Sequence, residues 1–214
     1  MNGYARIRHT LYREDGRVLI ALTVGNECGS EEIELLILED LFYEIGEPME
    51  GEIGCDTVER LGELADVTAA FSSACASLAF TQCSSRALVR KLLAKGFSKS
   101  ASESAVEICA LRGYIDEVAV ATRRAEVMVD KSWGRVRILS RLREEGYSDE
   151  ALESVREYLD DVDFGEVCLS VIEKKYRGVP EERIAREKMY AALARLGFSR
   201  GDIRDALHRY SDED

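Results

Sequence analysis

Histidine and proline are nearly missing from this 214-residue chain, with two of each, and tryptophan occurs once. The histidines, His9 and His208, lie at opposite ends, and the six cysteines (Cys28, Cys55, Cys75, Cys83, Cys109, Cys168) form no C-x-x-C pair. A structural zinc needs four clustered N or S ligands, so no metal and no cofactor is expected. No signal-like segment routes the chain to an oxidising compartment, so most of the cysteines are expected to be free and buried. No apolar run approaches the ~18 residues of a membrane span; the expected location is the cytoplasm, without a membrane partner. Phosphate loops are missing too, because Gly25-x-x-x-Gly29 lacks the following Lys-Ser/Thr. No histidine, serine or cysteine stands in a recognisable nucleophile motif, so an enzyme is not expected.

Positive charge is scarce at one end. The net charge is -12, and residues 1–56 hold 4 basic and 13 acidic residues, against 25 and 28 in residues 57–214. Acidity on that scale opposes phosphate binding at the amino-terminal end and leaves the remainder nearly balanced.

Residues 5–24 alternate as two strands around Glu14-Asp15-Gly16-Arg17, with Ile7, His9 and Leu11 on one side of the turn and Val18, Ile20 and Leu22 on the other. Ile33 to Leu38 reads as a third strand before a short helix, with strand and helix closely balanced across residues 31–45. Gly46, Pro48, Gly51 and Gly54 form a break, after which Asp56-x-x-Glu59 has the form of a capping box opening a helical region.

Three stretches then align without gaps: ALVRKLLAKGFS (87–98), RILSRLREEGYS (137–148) and KMYAALARLGFS (188–199). Each has the pattern of a helix stopped by glycine in a left-handed conformation, with the next aromatic packing back on a leucine. Gly96, Gly146 and Gly197 are the stops, Phe97, Tyr147 and Phe198 the aromatics, and Leu92, Leu142 and Leu193 their partners. Ser98, Ser148 and Ser199 are placed to cap the following helices. Tyr114 and Phe164 recur 18 residues after the first two glycines, which makes the unit three helices. The expected helices are 66–80, 84–95 and 100–111; 116–130, 133–145 and 149–160; and 166–176, 181–196 and 200–210. The expected fold is mostly α: three tandem three-helix repeats forming an elongated curved module (56–114, 115–164, 165–214), preceded by a hairpin-containing extension (1–55).

Leu88-x-x-x-Leu92-x-x-Lys95-Gly96-Phe97-Ser98, Gly113-Tyr114-Ile115-Asp116-Glu117, Trp133 to Ser148 and Lys188 to Ser199 resemble the RecX regulators, which are built from such repeats. The chain departs from the family pattern at Thr81-Gln82-Cys83 and Ala87, and at Val118 and Val120 in the helix after Tyr114. The resemblance implies a regulator that performs no chemistry, binds the groove of the RecA recombinase filament, and restrains filament growth, ATP hydrolysis and strand exchange in DNA repair and homologous recombination. Single-stranded or double-stranded DNA within the filament is a further partner consistent with it.

Arg86, Arg90, Lys91 and Lys95 occur with no acid between them, as do Arg135, Arg137, Arg141 and Arg143. Both runs fall on or beside middle helices and are the candidate partner-binding residues; the alternative is a solvated helix face. They also support two other functions, a stand-alone DNA-binding module or a scaffold for an unrelated protein. Trp133 is either an interface anchor or a staple to its own core. The three glycine-aromatic turns are expected to be structural.

Overall fold

The computed structural model describes residues 4–26 and 29–212; Cys28 lies outside them. Strands β1 (Tyr4–Arg13) and β2 (Arg17–Asn26) form the expected hairpin, with Gly16 at φ +72° in its turn. Strand β3 (Gly29–Leu38) pairs with β2 from Asn26↔Gly29 to Arg17↔Leu38, and α1 (Glu39–Glu44) follows. The balance over residues 31–45 thus resolves as strand to Leu38, because β2 offers a ladder along its whole length and the pairing buries Ile37 and Leu38. A short β4 (Gly51–Ile53) pairs with β1 inside the segment expected to be a break, giving the order β3-β2-β1-β4.

Val18, Ile20 and Leu22 are buried as the alternation requires, whereas β1 departs from it. A register shift between Ile7 and His9 reverses the two-residue period. His9 and Leu11 are therefore exposed, and Tyr12 packs edge-on to Phe42.

Helix α2 (Cys55–Phe80) starts eleven residues before the expected first helix and spans roughly 39 Å at 1.5 Å per residue. Its first half buries Leu61 and Leu64 against the sheet, and its second half packs Ala70, Phe71, Ala74 and Leu78 on the α4 side. Thr68 joins the halves: its hydroxyl donates to the Leu64 carbonyl and accepts from the Leu38 N–H, both at 2.9 Å. The capping box at Asp56 and Glu59 does not form. Gly54 is the N-cap and no side chain caps it; Asp56 lies inside the first turn, where its charge complements the helix dipole.

The other helices follow the expected repeat closely: α3 (Ser85–Ala94), α4 (Lys99–Leu111), α5 (Glu117–Asp130), α6 (Arg135–Glu145), α7 (Asp149–Asp160), α8 (Phe164–Val171), α9 (Arg183–Arg195) and α10 (Arg200–Asp212). A π-helical turn, Ile172–Tyr176, continues α8.

The repeated glycines have φ of +96°, +86° and +94°. At each turn the aromatic N–H donates to the leucine carbonyl five residues back, Phe97 to Leu92, Tyr147 to Leu142 and Phe198 to Leu193, all at 3.3 Å. The glycine N–H reaches the carbonyl three back, Leu93, Arg143 or Ala194. These two bonds satisfy carbonyls that the helix end would otherwise leave without partners. The serine hydroxyls accept from Ala101, Ala151 and Asp202 N–H groups, capping the next helix as expected. Tyr147 and Phe198 are buried, while Phe97 is half-buried.

The chain divides into two compact units, one holding residues 1–82 and 88–114, the other 83–87 and 115–214. The first joins the sheet to α2 and α4; the second is built on a core that includes Ile138, Leu142, Leu152, Leu159, Met189 and Leu193. None of the described cysteines is in a disulfide, and of them only Cys109 and Cys168 are buried, fewer than expected. Burial pushes both thiols up to about 12.

Candidate interaction surface

Within the second unit, middle helices meet end to end. The Gly134 N–H at the start of α6 donates to the Leu196 carbonyl at 2.8 Å, and the Val136 N–H to Gly197 at 3.2 Å, so the first donors of α6 meet the last acceptors of α9. The Ser84 hydroxyl, which caps α3 through the Ala87 N–H, repeats this at the end of α6 by donating to the Glu145 carbonyl at 2.8 Å. Each contact pairs the positive end of one helix dipole with the negative end of another. The approach at the α6–α9 contact is possible only because Gly134 lacks a side chain: a Cβ there would lie 2.1 Å from the Gly197 carbonyl carbon.

Glu117 explains why the segment Gly113-Tyr114-Ile115-Asp116-Glu117 matters. Asp116 caps α5 through the Ala119 N–H at 2.9 Å. Glu117 takes the Ser85 N–H on one carboxylate oxygen and the Ser148 N–H, at 3.0 Å, on the other. One carboxylate therefore holds the amino ends of two helices. Burial pushes its pKa up, but the donors at Ser85 and Ser148 outweigh that, leaving it below the ordinary carboxylate value. Spacing along the chain gives no sign of this role, since the donors lie 32 residues before and 31 after.

The eight candidate basic residues do not form one equivalent set. Arg135 pairs with Asp160, donates to the Leu159 carbonyl at 2.7 Å and lies over the Phe164 ring. Arg137 covers the Trp133 ring at 3.7 Å, and Trp133 itself packs against the core, which makes it a staple. Arg141 pairs with Glu144 and Glu145, the latter also held by Arg124 at 2.6 Å. Lys95 reaches back to the Ser73 and Ser77 hydroxyls at 2.8 and 3.0 Å. Arg90 and Lys91 also interact within the chain.

Arg86 and Arg143 differ. Both are exposed, neither has an ion-pair partner among the described residues, and together they line a cleft of about 480 Å³ beside the Gly146-Tyr147-Ser148 turn. The Arg86 stem packs over Gly146, where an added Cβ would meet it at 2.6 Å. Two guanidinium groups beside a rigid turn can hold carboxylates or phosphates of a partner. The structure thus brings together one cation from each run and draws several of the others into internal contacts.

An amino-terminal sheet followed by three-helix repeats defines a class of helical-repeat proteins. Comparison with known proteins makes the class specific. Residues 161–207 match the family model described as RecX, third three-helix domain. The chain is 34% identical over 130 residues to Regulatory protein RecX of Vibrio vulnificus, covering 59% of this chain and 80% of the relative. It is 28% identical over 130 residues to Regulatory protein RecX of Halorhodospira halophila, covering 60% and 80%. A crystal structure of regulatory protein RecX superposes with TM-score 0.69 at 19% identity, covering 94% of this chain and 99% of that one. RecX from Lactobacillus salivarius gives 0.59 at 16%, covering 68% and 97%. The chain belongs to the RecX family of regulatory proteins.

Proposed function

We propose that this protein binds the RecA recombinase filament in the cytoplasm and restrains its extension, ATP hydrolysis and strand exchange, acting by contact and not by chemistry. The observation that carries this reading is the 34% identity to Regulatory protein RecX of Vibrio vulnificus over 80% of that relative. The cleft with Arg86 and Arg143 supplies a contact chemistry suited to it, because guanidinium groups recognise acidic protein surface or filament-bound phosphate.

The test is RecA's DNA-dependent ATPase with the purified protein added in stoichiometric excess. The rate is expected to fall, and the double variant Arg86→Glu with Arg143→Glu to lose most of the effect. An unchanged rate with the unaltered protein refutes the proposal. Binding to DNA alone across a salt series separates filament binding from a stand-alone DNA-binding module, whose affinity would fall steeply with salt.

A further inference from the structure

The first unit carries a groove that the basic cleft does not explain. It runs between α1, α2 and α4, encloses about 430 Å³, and has Leu41, Leu64, Val67 and Ile108 on its floor. A second hollow of about 200 Å³ shares Leu41, Glu44, Ile108 and Leu111 with it and extends it past the end of α4. On α4 the lining residues Ala101, Ser104, Ile108 and Leu111 form one helical stripe, which spans roughly 15 Å over its ten-residue separation.

The rim is acidic. Glu63 is paired with Arg60 at 2.9 Å, but Glu44, Asp66 and Glu107 have no ion-pair partner among the described residues. Leu111 is 82% exposed at the groove's end, which costs solvation free energy unless something covers it. Fifty residues on, in and just after α7, the equivalent positions are Tyr158 and Asp161, so the exposed leucine is replaced by an acid in the second repeat.

We infer that this groove docks a basic amphipathic helix of a protein partner, with apolar side chains on the Leu41–Ile108 floor and Lys or Arg side chains against Glu44, Asp66 and Glu107. Charge complementarity selects the occupant: three unneutralised carboxylates repel nucleic acid and anionic lipid, and the apolar floor gives a free polyamine nothing to bury. The length and the stripe suit a helix presenting apolar residues at i, i+3, i+4 and i+7. This site is separate from the Arg86–Arg143 cleft and does not depend on RecA as the partner.

The test uses the full chain and a fluorescein-labelled Leu/Lys peptide with leucines at i, i+3, i+4 and i+7, followed by fluorescence anisotropy. Saturable one-to-one binding is expected, weakened about ten-fold or more by Leu111→Ser and separately by Glu107→Lys. Both positions are exposed, and circular dichroism verifies that the variants are folded. A scrambled peptide of the same composition should bind far more weakly. Equal binding of the scrambled peptide, or indifference to Leu111→Ser, overturns the proposal in favour of general attraction to an acidic protein. A concentration-dependent dimer of the chain that Leu111→Ser dissociates, seen by sedimentation, overturns it in favour of a second copy as occupant.

Discussion

Replacing the three repeat glycines by alanine, one at a time, should give three different losses from one sequence motif. All three alanines would have to adopt a left-handed conformation, a common cost of about 1 kcal/mol. At Gly96 the new Cβ meets nothing within 4 Å, so that cost is the whole effect. At Gly146 it meets Cδ of Arg86 at 2.6 Å, which can swing away, and also its Cβ at 2.9 Å, which moves only with the start of α3, adding about 1–2 kcal/mol. At Gly197 it lies 2.6 Å from the Arg137 backbone nitrogen and 2.8 Å from the Gly134 carbonyl oxygen, so backbone must separate. That displacement strains the bonds from Gly134 to Leu196 and from Val136 to Gly197, bringing the total to roughly 3–5 kcal/mol. Urea denaturation followed by Trp133, the only tryptophan, reports the second unit and hence Gly146→Ala and Gly197→Ala; far-UV circular dichroism reports Gly96→Ala. In thermal melts each kcal/mol corresponds to about 4–8 °C for a unit of this size. Equal losses at the three sites, or the largest loss at Gly96, would refute the end-to-end contact of α6 and α9.

Gly62→Ala, inside α2 with no heavy atom within 4 Å of the added methyl, should stabilise the first unit by about 0.5–1 kcal/mol in a thermal melt. Glu117 should make the second unit acid-sensitive. Its folded pKa is depressed, so its contribution is present above the unfolded carboxylate value of about 4.3 and is lost as pH falls through the folded value. Glu117→Gln should lower stability at pH 7 and flatten the pH dependence between about 5 and 3, read by Trp133 fluorescence; an unchanged pH profile would sink the strap assignment. Arg137→Ala should shift the Trp133 emission and cost about 0.5–1 kcal/mol, whereas Arg143→Ala should leave both unchanged.

The turns could be read from sequence because their bonds close over five residues or fewer. Gly96-Phe97-Ser98 and its two copies specify helix end, left-handed residue and next cap from local atoms alone. The hairpin at Asp15-Gly16 is local in the same sense. The capping box at Asp56 looked equally local, yet packing of α2 on the sheet set the helix start at Cys55. β4 was not legible either, since three residues become a strand only by pairing with Ala5 to Ile7. The bulge in β1 likewise depends on a partner strand and moved His9 and Leu11 out of the expected pattern.

The candidate surface divides the same way. Sequence alone determined the three-helix period, the positions of the stops and caps, and two runs of cations, because each depends on spacing along the chain. Tertiary structure decided which cations remain available. Arg135 finds Asp160 across 25 residues and Arg86 and Arg143, 57 positions apart, meet at one cleft, whereas Arg137 and Arg141 take a ring and acids only three or four positions away, a spacing already present in the sequence. It also decided that identical glycines are not equivalent, since nothing lies near a Cβ at Gly96, whereas the space at Gly146 is filled by Arg86 and that at Gly197 by Arg137 and Gly134, all 60 residues or more away along the chain. Ion pairing and close backbone approach act over a few ångströms in space, and distance along the chain carries no record of them.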